Sequence, residues 1–217
     1  MFHSKKDFVR QKLTDDIISG KFPPGTFLRQ NDVAANFNLS STPVREAFTE
    51  LQSSGLLEHQ AHRGYRVTPC DETRVRQAYG ARRIVEAQTA RLAAKNIDQE
   101  VISKLERLLE EKYKIWEAGD FLKMVELNMR FHLTIFECAQ NPFLIEAVER
   151  LWNSLPRFVP WSAEGRISQS LEEHREMIAA CKSGSGTRLV RAYETHMDNA
   201  LAVFLSQLSQ GFDEAAA

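Results

Sequence analysis

From Asp71 onward the chain runs through long stretches of helical periodicity with few glycines or prolines, a pattern that admits an α-helical bundle and little else. The stretches span about 71–95, 98–118, 120–139, 142–160, 166–183 and 187–210. Helix-stopping residues fall between them, at Asn96, 119–120, 141–142, 162–165 and 183–186. The expected fold is therefore mainly α, and the open question is what precedes the bundle.

Residues 1–69 read differently. Val9, Leu13 and Ile17 recur at four-residue spacing in a helix over 6–19 that Gly20 stops, and Pro23, Pro24 and Gly25 then force a turn. A short helix over 31–37 follows, and Asn38, Leu39 and Ser40 lead into another. Thr42 is placed to cap that helix and Pro43 to open it, while Val44, Ala47, Phe48 and Leu51 make one apolar face. After Gly55 come two β-like runs, 56–59 and 65–68, around a polar tip. Helix, helix, turn, helix and hairpin is the order of a winged helix-turn-helix. Pro69, Cys70 and Asp71 form the expected linker, dividing a DNA-binding domain, 1–69, from an all-helical effector-binding and dimerisation domain, 70–217.

Length supports two such units, because 217 residues exceed the roughly 100–150 of a typical single domain. No apolar run approaches the about 20 residues that span a bilayer, and the polar start lacks the apolar core of a signal peptide. Cys70, Cys138 and Cys181 are odd in number and widely spaced, which suggests neither a disulfide framework nor a cysteine metal site. A cytoplasmic protein without membrane partners is expected. Net charge is −1, but it is unevenly spread. Residues 1–69 hold nine Lys/Arg against seven Asp/Glu, and the remainder nineteen against twenty-two. The mild basic excess at the N-terminal end permits DNA binding without proving it.

A recognition helix enters the major groove N-terminus first, so its opening residues meet bases and phosphates. Those residues are Ser40, Ser41, Thr42 and Arg45. The hydroxyls allow close approach to the backbone, and Arg45, on the side away from the apolar face, can fork onto a guanine or a phosphate. In the wing, Arg63 and Gly64 offer a cation and an approach without side-chain bulk.

These residues carry a family resemblance. Residues 17–28, Ser40-Ser41-Thr42-Pro43-Val44-Arg45-Glu46-Ala47, Gly55-Leu56-Leu57 and Arg63-Gly64-Tyr65-Arg66-Val67 resemble the DNA-binding domain of the GntR family of transcription regulators. The family usually places arginine where this chain has Ser41, so one expected DNA contact is absent. The helical part resembles the FCD type of the FadR subfamily through residues 82–86 and 90–94, Asn128-Met129-Arg130-Phe131-His132, Glu173-His174 and His196. That resemblance implies a ligand-responsive regulator, a repressor acting as a homodimer on palindromic operator DNA, with a metal site and a small carboxylate effector.

Periodicity bears on the same residues. The inward stripes read Ile167, Leu171, His174, Ile178, Cys181; Leu189, Tyr193, His196, Ala200, Val203; and Val125, Asn128, His132, Ile135, Ala139. Three helices thus aim a histidine at one core. Either each imidazole is hydrogen-bonded separately, or one metal satisfies all of them, with Asn128 as a further ligand. Imidazole ligands suit zinc or nickel. Asn128 stands where the family more often has aspartate: either the neutral amide, a weaker ligand than a carboxylate, makes the metal site poor, or it leaves more of the ion's charge to attract an anion. Arg82 also faces inward, and a buried arginine needs an anionic partner, either an effector or Glu86 one turn on. A metalloenzyme is the rival reading. It lacks an H-E-x-x-H helix, and Glu137 lies more than one turn past His132. A plain helical interaction module leaves residues 40–68 unexplained.

Overall fold

The computed structural model describes residues 4–18, 20–61, 63–118, 121–155, 163 and 165–209. The N-terminal part holds α1 (Lys5–Ile18), a short strand β1 (Phe27–Leu28), α2 (Gln30–Asn36), α3 (Ser41–Ser53) and a hairpin of β2 (Leu57–Gln60) and β3 (Gly64–Val67). Its sheet has the order β1-β3-β2, antiparallel throughout, with Phe27 opposite Arg66 and Leu57 opposite Val67. Sequence periodicity gave no sign of β1, since two residues are too few to show alternation.

The apolar stripe of α1, Val9, Leu13 and Ile17, is buried against Val44, Phe48 and Leu51 of α3 in one core with Leu57 and Val67 of the wing. Phe48 meets Tyr65 edge-on at 4.9 Å between ring centres, which ties α3 to β3. Between α2 and α3 the chain turns through Asn38, whose φ of 53° is left-handed. The Leu39 amide then donates to the Ala34 carbonyl at 2.9 Å and the Asn38 amide to that of Ala35 at 3.1 Å. Paired bonds of this kind close a helix C-terminus, and asparagine tolerates the conformation they require.

One expected helix start is corrected. Ser40, in extended conformation, takes the cap position and α3 begins at Ser41, so Thr42 lies inside the helix and Pro43 at its third residue. Proline costs nothing there, because the amides of the first turn have no helical partner. The hairpin strands also sit one residue off the expected runs.

Past the linker come α4 (Glu72–Ala93), α5 (Gln99–Ala118), α6 (Phe121–Phe136) with a tight final turn at Glu137–Ala139, α7 (Pro142–Trp152), α8 (Arg166–Lys182) and α9 (Gly186–Ser209). Asp71 caps α4 by accepting from the Arg74 amide at 2.7 Å, and Asn141 caps α7 with Pro142 at its first position. The expected helix over 142–160 ends early, at Trp152. Pro156 disfavours helix in the residue before it, and Ser154 turns back to bond the Leu151 carbonyl; 156–160 lie outside the described residues. The two long helices α4 and α9 pack side by side. Arg83 pairs with Asp198 at 2.5 Å, and Tyr79 meets Phe204 at 6.1 Å, so residues early in α4 lie level with residues late in α9. The main helical core runs through Leu105, Phe131, Phe136, Val148, Met177 and Leu189. Among the described residues no helix is long and apolar enough to cross a membrane.

Candidate functional site

The apolar face of each helix fixes which way its polar residues point. On α6, Leu127, Phe131 and Ile135 are buried, and His132 beside them is 4% exposed; on α8 His174 is 0% and on α9 His196 is 6% exposed. Three helices therefore bring three imidazoles together, with one ligand nitrogen from each lying within 4.8 Å of the others. His132 Nε2 and His174 Nε2 are 3.2 Å apart.

Each opposite ring nitrogen has its own partner. His196 Nδ1 lies 2.6 Å from Glu173 Oε2, His132 Nδ1 lies 2.9 Å from the Tyr193 hydroxyl, and His174 Nδ1 lies 2.7 Å from Lys112 Nζ. Glu173 only accepts, so His196 carries its proton on Nδ1 and turns a lone pair toward the cluster. A carboxylate behind a histidine in this way orients it as a metal ligand. As an ammonium, Lys112 would place the His174 proton on Nε2; as a neutral amine it accepts from Nδ1 and leaves Nε2 open.

Burial decides the charge of these groups. It drives His132 well below the ordinary histidine range, reinforced by His196 and Lys112, and does the same to His174, reinforced by Lys112 and His132. His196 is lowered by burial too, against the upward pull of its bond to Glu173. Lys112 falls far below an ordinary lysine, first through burial and then through Arg166. For Glu173, burial pushes up, but the His196 bond, the His196 and Arg166 charges and a 2.7 Å bond from Asn199 bring it below the usual carboxylate range. Neutral imidazoles are the form that binds a metal.

Asn128 sits one turn from His132 as expected, but its Oδ1 accepts from Lys112 Nζ at 3.0 Å. Arg82 is paired with its neighbour on α4. Its Nε donates to Glu86 Oε1 at 2.7 Å, the Trp152 indole donates to the same oxygen at 2.9 Å, and the guanidinium stacks 4.7 Å from the Tyr79 ring centre. Arg82 nonetheless lines a pocket of about 70 Å³ together with Asn128, His132, Arg166 and His196. Arg166, 2% exposed, is bonded to Glu173 at 2.9 Å. Sequence reasoning missed Lys112, Arg166, Glu173 and Tyr193 as partners. Lys112 had a signal, since it continues the buried stripe Leu105, Leu108, Leu109 on α5.

At the other end of the chain, Ser40, Ser41, Thr42 and Arg45 are all exposed on the first turns of α3 while Val44, Ala47 and Phe48 are buried beneath them. Among the described residues no ion pair engages Arg45. Arg63 is exposed at the wing tip, and Gly64 has φ 92°, a conformation other residues adopt only under strain. Both line a groove with Arg29, the residue before α2, which the sequence reading did not single out. Arg66, by contrast, is tied to Glu58 across the hairpin.

Comparison with known proteins agrees with both halves. Residues 5–67 match the family model of bacterial regulatory proteins of the gntR family, and residues 77–199 match the FCD domain. A probable D-xylose utilization operon transcriptional repressor of Paenarthrobacter nicotinovorans is 30% identical over 87% of this chain and 84% of its own length. The HTH-type transcriptional repressor RspR of Escherichia coli is 27% identical over 85% and 82%. The solved structure of E. coli McbR/YncC, at 23% identity, superposes with a TM-score of 0.83 over 94% of this chain and 99% of its own. A GntR regulator from Rhodococcus gives 0.75 over 93% and 98%, also at 23%. Both structures share the fold, and the sequence relatives are regulators rather than enzymes. With a gntR-type helix-turn-helix followed by an FCD domain, the chain belongs to the GntR family and is a transcription regulator.

Proposed function

We propose that the protein is a cytoplasmic, homodimeric repressor whose operator affinity is set by a small organic acid. Residues 1–69 bind DNA and residues 70–217 dimerise and sense the effector. In this reading α3 enters the major groove of a palindromic operator, with Ser40, Ser41 and Thr42 on phosphates and Arg45 on a base edge, while Arg63 and Gly64 of the wing follow the sugar-phosphate chain. The observation that carries it is α3 itself, buried along one face and exposed at its first turns, with an arginine that no ion pair engages among the described residues. A gel shift against duplexes from the gene's own upstream region tests it. A retarded complex that survives excess scrambled duplex is expected, and equal competition by scrambled DNA would refute it.

The helical domain supplies the sensor in this reading. Arg82 and the neighbouring cations receive the acid's carboxylate, and effector binding shifts the placement of the DNA heads, a coupling between two sites. The three converging nitrogens and neutral rings fit a divalent metal, zinc or nickel, held by His132, His174 and His196. Asn128 Oδ1, which accepts from Lys112, would join through its second lone pair. When bound, the ion would supply a positive charge that favours an anion in the pocket. Elemental analysis of purified protein is expected to find about one zinc or nickel per chain. His174→Ala should lose it and become insensitive to chelator in a melting experiment. A metal-free wild type that melts identically with and without chelator would assign the histidines to separate hydrogen bonds.

A further inference from the structure

Residues 1–69 hold nine lysines and arginines, and ion pairs divide them into two groups. Lys6 and Arg10 are held by Glu50, Lys12 and Lys21 by Asp16, and Arg66 by Glu58. Among the described residues no ion pair engages Lys5, Arg29, Arg45 or Arg63. Sequence-independent affinity for a duplex comes from cations that neutralise phosphates. On α3 Arg45 is the single cation, so further phosphate contacts must come from elsewhere in the domain.

Arg29 is placed for that role. Along β1, Leu28 is buried while Phe27 turns outward and is 44% exposed. Arg29 follows with φ −99° and ψ 130°, still extended, so it shares the outward face of Phe27 about 7 Å further along. Leu28 lies opposite Tyr65 of β3, and one more step of that register brings Arg29 beside Gly64. A Cβ on Gly64 would come 3.5 Å from the Leu28 carbonyl oxygen, so the wing runs close along β1.

Phe27, Arg29, Arg63 and Gly64 line one groove together with His59 and Tyr65, and Asp32 of α2 is the one carboxylate among its described lining residues. Two arginines against one carboxylate leave the groove positive. Gly64 adds no side chain to its floor. Phe27 lies outside the apolar core of the domain as described, which leaves a phenyl ring on the surface beside a cation. A nucleic-acid strand alternates in the same way, an apolar sugar face beside an anionic phosphate.

We propose that this groove is a track for the sugar-phosphate chain of one DNA strand, with Arg29 and Arg63 on phosphates and Phe27 against deoxyribose. Arg29 is then a positioning contact common to all sequences, additional to those of α3 and the wing tip. The inference rests on the reading of residues 1–69 as the DNA-binding domain.

Fluorescence anisotropy of the full-length protein with two duplexes of unrelated sequence, between about 50 and 200 mM salt, tests the track. The readout is the slope of log affinity against log salt, which counts neutralised phosphates and is not moved by a merely structural role. Arg29→Ala is expected to flatten the slope by about 0.9 per bound chain on both duplexes, as Arg63→Ala does, while Arg29→Lys keeps it. Phe27→Ala should weaken binding at every salt concentration and leave the slope unchanged. If Arg63→Ala flattens the slope and Arg29→Ala does not, the track is wrong while the DNA reading stands. Loss of affinity by Arg29→Ala on one duplex alone would make it a base contact and overturn the track as well. Wild-type affinity from Phe27→Ala would overturn the sugar contact. If wild type binds neither duplex in a salt-dependent way, the DNA reading fails and the inference with it.

Discussion

Replacing Arg45 by alanine is expected to abolish specific operator binding while leaving the helical domain folded. Arg45 lies on the solvent side of α3, so its loss leaves the buried face of Val44, Ala47, Phe48 and Leu51 unchanged. One arginine contact to a base contributes roughly 1–3 kcal/mol, and a dimer on a palindrome loses it twice, a drop of about one and a half to four orders of magnitude. Fluorescence anisotropy at moderate salt, with circular dichroism to confirm folding, measures it. Arg63→Ala should act differently, weakening binding by a similar factor on all sequences, because a phosphate contact carries no sequence information. Operator affinity kept by Arg45→Ala would remove α3 from the role of recognition helix.

Acid should destabilise the metal-free protein well before ordinary carboxylates protonate. His132 and His174 titrate far lower when folded than unfolded, so below about pH 6.5 the unfolded chain binds protons that the folded chain refuses. Their contribution is fully present above the unfolded value and is lost as pH falls through and below it. Each histidine that stays neutral contributes about 1.4 kcal/mol of loss between pH 7.5 and 5.5, and the two together roughly 3 kcal/mol. Urea denaturation in chelator at the two pH values measures the difference, to which Lys112 adds wherever it too stays neutral, and His174→Gln should remove about 1.4 kcal/mol of it. Equal stability at both would mean that the imidazoles protonate freely in the folded state.

What could be read beforehand follows from how strongly each feature is tied to local pattern. The α3 face and the three histidines were legible because buried residues repeat with the helical period, and a histidine inside such a stripe has to be buried with it. The helix-turn-helix turn was legible at Asn38, whose type suits the left-handed backbone it adopts. The partner set was not legible. Lys112 continues a buried leucine stripe, but lysine is so seldom buried that its position reads as an edge of the stripe until Asn128 and His174 are seen against it. Arg82 had two candidate partners at sequence level, and only the packing of Trp152 onto Glu86 places that carboxylate for it. The early end of α7 was missed because the apolar pattern runs on past Trp152, while the bonds that stop the helix are local side-chain contacts.

The central claim is that α3 reads operator sequence as one of a symmetric pair. Selection of bound duplexes from a random-sequence pool by the full-length protein, followed by sequencing, tests it most directly. The account predicts enrichment of an inverted repeat with two equivalent half-sites, lost in a parallel selection with Arg45→Ala. Recovery of no common sequence, or of the same inverted repeat by both proteins, would contradict it.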